Sequence, residues 1–324
     1  MADYDISDSS VDGLVSIIIP THNRANIISE TISSIFAQSY SKIELIIVDD
    51  HSIDGTEDII KYKLNDSPLY SFRYLKSERK GGCAARNLGL SVSNGEYIQF
   101  FDDDDIMMPN HIMDKVTILQ QYSQYDFVTC NFKYFKEDIE NIVDEKRLDN
   151  IVHSIESHLL KSAFPAPAFM CRRSCICKIG FWNENIIKFQ DICYFHRLFL
   201  YNFSGFYIIS DLFFVRLHSN NISLNKSKIF YKSMLDAFES VQAEWHFESK
   251  LTENLLDVIY ILKVMVLLQA YKRRYYFWCL SNFIFLSLGS FKQFCNFTKI
   301  AVVKFLKKKN NSNISTYDIM ILGK

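Results

Sequence analysis

The sequence predicts an α/β fold with a mostly parallel central sheet and a helical C-terminal appendage. Three observations carry this expectation. Short apolar runs alternate with helically spaced apolar residues from 15 to about 121, the pattern of βαβ units. Three of those runs stop abruptly in polar clusters. Beyond about residue 226 the spacing becomes helical.

Residues 15–19 (Val-Ser-Ile-Ile-Ile), closed by Pro20, read as a strand buried on both faces, as parallel sheets require. Residues 26–39 carry Ile28, Ile32, Ile35 and Phe36 at helical spacing. Residues 43–48 form a second strand and 54–64 a second helix, with Asp54 and Glu57 spaced as a capping box. Residues 71–75 are a third strand. Gly81-Gly82 opens a short helix through Ala84, Ala85 and Leu88. Residues 96–101 are a fourth strand, cut off by four aspartates, 102–105. Pro109 suits a first helical turn, which Ile112, Val116 and Leu119 continue. Residues 126–135 add a strand, 136–168 are irregular, and Pro165-Ala-Pro167 is a stiff loop. A helix after Asp191 puts Ile192, Phe195 and Phe199 on one face, and 206–217 are strand-like. There is no internal repeat. The expected organisation is a flexible lead over 1–13, an α/β domain over 14–225 and a basic helical region over 226–324.

The 324 residues are 48% hydrophobic with 27 Phe and 18 Tyr, which excludes disorder and supplies a core. A net charge of -1 argues against a nucleic-acid binder. The charge is uneven, however. Residues 255–324 hold eleven Lys or Arg against Asp257 and Asp318, a net +9, which leaves -10 on residues 1–254. The two parts should face different partners. The polar lead has no signal-peptide core, so the eight cysteines read as reduced thiols of a cytoplasmic protein. Cys171, Cys175, Cys177 and Cys193 lack the paired C-x-x-C spacing of ordinary structural zinc sites.

In an open parallel sheet, ligands sit beyond the carboxyl ends of the strands. Pro20-Thr-His-Asn23, Asp49-Asp50-His-Ser52 and Asp102–Asp105 all lie at such ends and would converge on one crevice. Two carboxylates about 4 Å apart repel by about 4 kcal/mol at an effective dielectric near 20. A divalent cation removes that cost, and an oxygen-only donor set suits Mg²⁺ or Mn²⁺ completed by substrate phosphates. The alternative is a solvated acidic turn. There is no Gly-x-x-x-x-Gly-Lys-Ser/Thr loop and no Gly-x-Gly-x-x-Gly after the first strand, so neither an NTPase nor a dinucleotide dehydrogenase is supported.

These segments, in this order, resemble the family 2 inverting glycosyltransferases of the GT-A fold. The matching segments are residues 15–24, the stretch Ile46–Thr56 with Asp49-Asp50, Gly82 with Ala85-Arg86-Asn87 and Gly89, and Gly95–Asp105 with Pro109. The resemblance implies a nucleotide-diphosphosugar donor, with UDP expected. Pro20, Thr21, Asn23, Arg86 and Asp103 would border the nucleotide and Asp50 would accept the imide N–H of a uracil-like base. Asp102-x-Asp104 would hold Mn²⁺ or Mg²⁺, although four successive aspartates permit a one-residue shift. His218, within Val215-Arg-Leu-His218, would touch the metal or diphosphate, or be structural. The family's base is the second acid of a Glu-Asp pair; here Gln190-Asp191 stands in that place, so Asp191 is the expected catalytic base, its alternative role being a helix N-cap.

The resemblance further implies hexosyl or N-acetylhexosaminyl transfer to a glycan or lipid-linked hydroxyl, as in bacterial surface-polysaccharide or O-antigen assembly. The basic, aromatic C-terminal region fits peripheral contact with the inner face of the cytoplasmic membrane, or simple packing. Its apolar run over 255–268 is shorter than a spanning helix needs. Two other readings stay open: a sugar-nucleotide nucleotidyltransferase, and a non-catalytic carbohydrate-binding or scaffold subunit.

Overall fold

A computed structural model describes residues 5–65, 67–136, 138–146, 154–155, 158–159, 165–217, 227–273, 275 and 282. The chain divides into two compact units, residues 1–225 and 226–324.

Among the described residues of the first unit, nine strands form one mixed sheet. They are β1 (Val11–Thr21), β2 (Ile43–Asp49), β3 (Ser71–Lys76), β4 (Gly95–Phe100), β5 (Ile106–Met107), β6 (Phe127–Lys136), β7 (Asp138–Lys146), β8 (Met170–Arg172) and β9 (Gly205–Arg216). Their order is β3-β2-β1-β4-β8-β6-β9-β5, with β7 paired to β6. The half β3-β2-β1-β4 is parallel throughout. In the other half only β6 and β9 run parallel; β8, β7 and β5 pair antiparallel with their neighbours. The sheet is thus parallel throughout its βαβ portion, where a helix carries the chain back after each strand, and mixed beyond it.

The helices of this unit are α1 (Ile28–Phe36), α2 (Thr56–Leu64), α3 (Gly82–Ser91), α4 (His111–Gln121), α5 (Arg173–Ile179) and α6 (Gln190–Leu200). Ile17, Ile18 and Ile19 of β1 and all of β2 are buried, as continuous apolar runs demand. Helix α3 lies close on these strands because Gly89 has no side chain. A Cβ there would meet Ile18 Cγ2 at 2.5 Å and Val48 Cγ2 at 3.3 Å. Both are stiff β-branched groups in a full core. Gly89→Ala is therefore expected to lower the urea midpoint: overpacking costs about 1–3 kcal/mol, against a helix gain of about 0.5–1 kcal/mol.

Several local expectations change. Strand β1 begins inside the lead expected to be flexible: Val11 pairs with Gly95, and Gly13 N–H donates to Glu96 Oε2 at 2.7 Å. Asp54 and Glu57 make no capping box. Gly55, at φ 88°, is the cap of α2. Asp54 instead accepts from Ala25 N–H (3.1 Å) and Thr56 N–H (3.1 Å), and Glu57 pairs with Lys61 and Lys76. Pro109 lies just before α4 rather than within it. Residues 138–146, expected to be irregular, are strand β7.

In the second unit, α7 (Lys228–Phe247) and α8 (Glu253–Lys272) pack as a hairpin. Ser227 caps α7 by accepting from Phe230 N–H, and Thr252 caps α8 by accepting from Leu255 N–H. The 20-residue α8 is longer than the apolar run within it and is long and apolar enough to cross a membrane by length and composition; half of its apolar window is buried. Lys263, inside that window, is 5% exposed and donates to Gln242 Oε1 at 2.9 Å. That is how a packed helix places a lysine. The basic clusters at 307–309 lie outside the described residues.

Candidate active site

The parallel register sets the site. Thr21 pairs with Asp49 and Ile18 with Phe100, so the loops after β1, β2 and β4 leave the same edge. They are stitched together. Asn23, at φ 53°, adopts the left-handed conformation that asparagine tolerates. Its N–H donates to Ser52 Oγ (2.9 Å) and its Oδ1 accepts from Ile53 N–H (2.9 Å). Pro20 and Thr21 form the end of β1 beneath this loop. Asp50 N–H donates to Thr21 O at 2.8 Å, and Asp50 Oδ2 accepts from Gly81 N–H at 2.8 Å. The Asp50 carboxylate thus faces the start of α3. His51 lies 3.2 Å from it and His22 Nδ1 meets its carbonyl.

The four aspartates divide between two tasks. Asp105 is 3% exposed; its Oδ1 accepts from Arg216 N–H (3.1 Å), and its carbonyl accepts from Thr31 Oγ1 (2.8 Å). Asp103, 7% exposed, accepts from Arg24 Nε (3.0 Å) and His22 N–H (3.3 Å). These two brace the turn. Asp102 and Asp104 remain partly open, Asp102 accepting from Arg86 Nη2 (2.9 Å) and Asp104 from Arg24 Nη2 (3.2 Å). Arg216 ties β9 to the turn through Asp104 O (3.1 Å) and reaches Glu30 (2.6 Å).

Carboxylates this close raise one another's pKa. Burial, then Asp104, pushes Asp103 up to about 7, and the same causes push Asp105 well above the usual range. Asp102 is raised chiefly by burial, with Arg86 opposing and Asp104 adding. The turn is short of positive charge even with Arg24 and Arg86 beside it. Asp102 and Asp104 therefore fit a hard cation: they are partly open oxygen donors, and their repulsion is what a divalent ion relieves. Among the described residues no third acidic, His or Cys ligand closes a cage, and Mg²⁺-type sites use one or two carboxylates plus phosphate and water.

Asp191 sits in the first turn of α6, but it is not the cap. The cap position is Phe189, at φ 63°, with no side-chain hydrogen bond. Burial pushes the Asp191 pKa up to about 7, with Arg86 lowering and Asp102 raising it. Gln190 is fully employed. Its Oε1 accepts from Arg86 Nη1 (3.0 Å), and its Nε2 donates to the carbonyls of Ile186 and Ile187 (both 3.1 Å). Arg86, 8% exposed, lies 4.9 Å from the centre of the Trp182 ring, which stacks on Tyr194 at 4.0 Å.

Arg86 donates to Asp102 and Gln190 and lies beside Asp191, Asp104 adjoins Asp102, and Asp50 joins the same strand edge by accepting from Gly81 N–H. His218 lies outside the described residues. The six described cysteines are free thiols, with Cys171 beside Cys175 and Cys83 near Arg86 and Asp191. Sequence reading assigned no role to Arg24 or Arg216. The two arginines had a signal: a buried run of carboxylates requires cations nearby.

Comparison with known proteins agrees with this geometry. Residues 16–180 match the family described as Glycosyl transferase family 2. The chain is 30% identical over 223 residues to "Glycosyltransferase GlyG" of Streptococcus pneumoniae, covering 64% of this chain and 72% of that protein. It is 29% identical over 243 residues to "Putative teichuronic acid biosynthesis glycosyltransferase TuaG" of Bacillus subtilis, covering 72% and 93%. Among solved structures, S. aureus TarS 1-349 in complex with UDP-GlcNAc superposes with a TM-score of 0.57 at 16% identity, over 78% of this chain and 80% of that one. The mannosyltransferase PcManGT of Pyrobaculum calidifontis, in complex with GDP-Man and Mn2+, gives 0.57 at 15% identity, over 99% and 88%. These structures share the GT-A fold. The match over half the chain, on the strands and loops that build the crevice, makes this protein a member of glycosyl transferase family 2.

Proposed function

We propose that this protein is an inverting, metal-dependent glycosyltransferase that moves a hexosyl or N-acetylhexosaminyl group from a UDP-sugar to a hydroxyl of a bacterial surface-polysaccharide precursor. The observation that carries the reading is one cluster: Asp191, with its pKa near 7, shares Arg86 with Asp102. A base and an electrostatic anchor for a leaving group are thereby held side by side.

In this reading Pro20, Thr21 and Asn23 border the nucleotide, with Asp103 bracing that loop. Asp50 accepts the imide N–H of uracil. Arg86 faces the diphosphate. Asp102 and Asp104 hold Mn²⁺ or Mg²⁺, which supplies positive charge against the diphosphate as it leaves. Asp191 takes the proton of the acceptor hydroxyl. That oxygen bonds to the anomeric carbon from the face opposite the diphosphate. The C–O bond to the diphosphate breaks, its electron pair leaves with the nucleotide, and the configuration inverts. Residues 14–225 form the catalytic domain. The basic, aromatic 226–324 region gives peripheral contact with the inner membrane face, where a lipid-linked acceptor lies. A relative named for teichuronic acid synthesis supports the polysaccharide assignment, and a neighbour binding UDP-GlcNAc supports the donor class.

Thermal shift with UDP, GDP and nucleoside triphosphates, with and without Mn²⁺, tests the reading, followed by hydrolysis of a sugar-nucleotide panel. Stabilisation by a diphosphate that needs the metal is the expected result. Preference for a triphosphate with sugar phosphate would indicate a nucleotidyltransferase, and no response to any nucleotide a scaffold.

The pH dependence has a definite sign. Asp191 must be ionised to accept a proton, and its pKa is raised to about 7. Activity should therefore fall as pH drops through about 7. A kcat/KM profile from pH 5 to 9 with its acid limb near 4 would remove Asp191 from the base role.

A further inference from the structure

Trp182, in the loop between α5 and α6, is 3% exposed and lies under Arg86. Its backbone is bonded in both directions to one side chain of α3. Trp182 N–H donates to Asn87 Oδ1 (2.8 Å), and Asn87 Nδ2 donates to the Trp182 carbonyl (3.0 Å) and to Glu184 Oε1 (2.8 Å). Glu184 is in turn paired with Arg79 at 2.7 Å. The ring is fixed as firmly. It stacks on Tyr194 with centres 4.0 Å apart and planes 3° from parallel, and Phe100 and Phe195 meet it edge to face at 5.2 and 5.7 Å. Tyr194 is itself anchored through its hydroxyl, which donates to the Gly180 carbonyl at 3.0 Å.

Arg86 is less completely held. Its Nη1 donates to Gln190 and its Nη2 to Asp102, one bond each, and its Nε is buried with no partner among the described residues. Two bonds from separate nitrogens fix a line through the guanidinium and leave its tilt about that line open. The Trp182 ring, centred 4.9 Å from the guanidinium carbon, closes that freedom, because a planar cation stacks on an aromatic face. The indole N–H of Trp182 is likewise buried with no partner among the described residues. An orphaned buried donor is costly, and a phenyl ring would carry none. What indole adds over phenyl is the aromatic face that attracts a cation most strongly.

We propose that Trp182 is a positioning residue for the leaving group: with its own plane set by Asn87 and Tyr194, the indole sets the tilt of Arg86 and so holds the guanidinium toward the diphosphate. This role rests on the reading that Arg86 faces the diphosphate. It also separates Trp182 from a residue that only packs. Loss of packing weakens every ligand of the site alike, whereas a misdirected Arg86 weakens those that carry the second phosphate.

The test compares the full-length wild type with Trp182→Phe, Trp182→Leu and Arg86→Lys. Calorimetry in Mn²⁺ gives the affinities for UDP and for UMP, which has the same base and ribose but a single phosphate. Trp182→Phe keeps a weaker aromatic face and drops the orphaned N–H, Trp182→Leu keeps apolar bulk alone, and Arg86→Lys keeps the charge and loses the plane. UDP affinity should fall about 3–5-fold in Trp182→Phe and about 10–30-fold in Trp182→Leu, the scale of a cation–π contact out of water, while UMP affinity holds. Arg86→Lys should lose the preference for UDP as well, and adding Trp182→Leu to it should change little, since the contact is already gone. Wild-type UDP affinity in Trp182→Phe, equal losses for UDP and UMP, or a Leu variant no worse than the Phe variant overturns the proposal. If Trp182→Leu does not fold, Trp182→Phe decides alone. An unchanged preference for UDP over UMP in Arg86→Lys, or no such preference in the wild type, would instead sink the reading that Arg86 faces the diphosphate, and the role of Trp182 with it.

Discussion

Replacing Asp191 with alanine is expected to lower turnover by about 10²–10⁴-fold, the range a positioned general base contributes, while metal-dependent UDP binding persists. The separation follows from the geometry. Asp191 stands in the first turn of α6, whereas the nucleotide is proposed to lie at the loops after β1 and β2, which are held by their own bonds among Asn23, Ser52, Asp50 and Gly81. Its neighbours Arg86 and Asp102 keep each other when it is gone, since they pair directly at 2.9 Å. Asp191→Asn gives the sharper comparison, because it preserves the shape and removes the basicity. Calorimetry with UDP and Mn²⁺, beside a steady-state assay, reads both effects. Equal loss of binding and turnover would contradict the division of labour.

Asp104→Ala should do the reverse of what most substitutions in a buried turn do. The Asp104 charge raises the pKa of Asp102, Asp103 and Asp105, so it is a source of repulsion in the folded protein at neutral pH. Removing it relieves three neighbours, and Arg24 keeps its bond to Asp103. The metal-free protein should melt at the same temperature or higher. What disappears is the response to ligand. A nucleotide at a hundredfold excess over its Kd stabilises by about 2.7 kcal/mol, and in Asp104→Ala the part that depends on Mn²⁺ should vanish. Differential scanning fluorimetry over a matrix of UDP and Mn²⁺ measures both effects. A large drop in the metal-free melting temperature would mean that Asp104 braces the turn as Asp103 and Asp105 do. An intact Mn²⁺ response would place the cation elsewhere. This is the usual exchange at functional sites, where charge held against its own repulsion serves binding rather than stability.

Much of the fold was legible because burial leaves a periodic mark. Strands covered on both faces must be apolar at every position, so β1 and β2 could be read directly, and the helices between them showed their spacing. Strand β7 was not legible. Its sequence, Asp-Ile-Glu-Asn-Ile-Val-Asp-Glu-Lys, is that of a polar loop, and it becomes a strand only because β6 offers an open edge. The capping box failed for a related reason. Asp54 has two nearby sets of donors, and the one that joins it to Ala25, distant in sequence, is invisible from spacing alone.

The sequence by itself determined that three polar strand ends would share one edge of a sheet, since parallel strands joined by helices all point the same way. It also determined which carboxylates stood there. Only the tertiary structure decided what each one does. Four adjacent aspartates are chemically equivalent until Thr31, Arg24 and Arg216 arrive from other elements to take Asp103 and Asp105 into the core and leave Asp102 and Asp104 open. Asp191 reads as base, with a helix cap as its alternative, until the fold puts the cap position at Phe189 and sets the Asp191 carboxylate beside Arg86 and Asp102. The reason is physical: the charge state and direction of a carboxylate are set by donors and dielectric within a few ångströms, and folding draws those neighbours from anywhere in the chain.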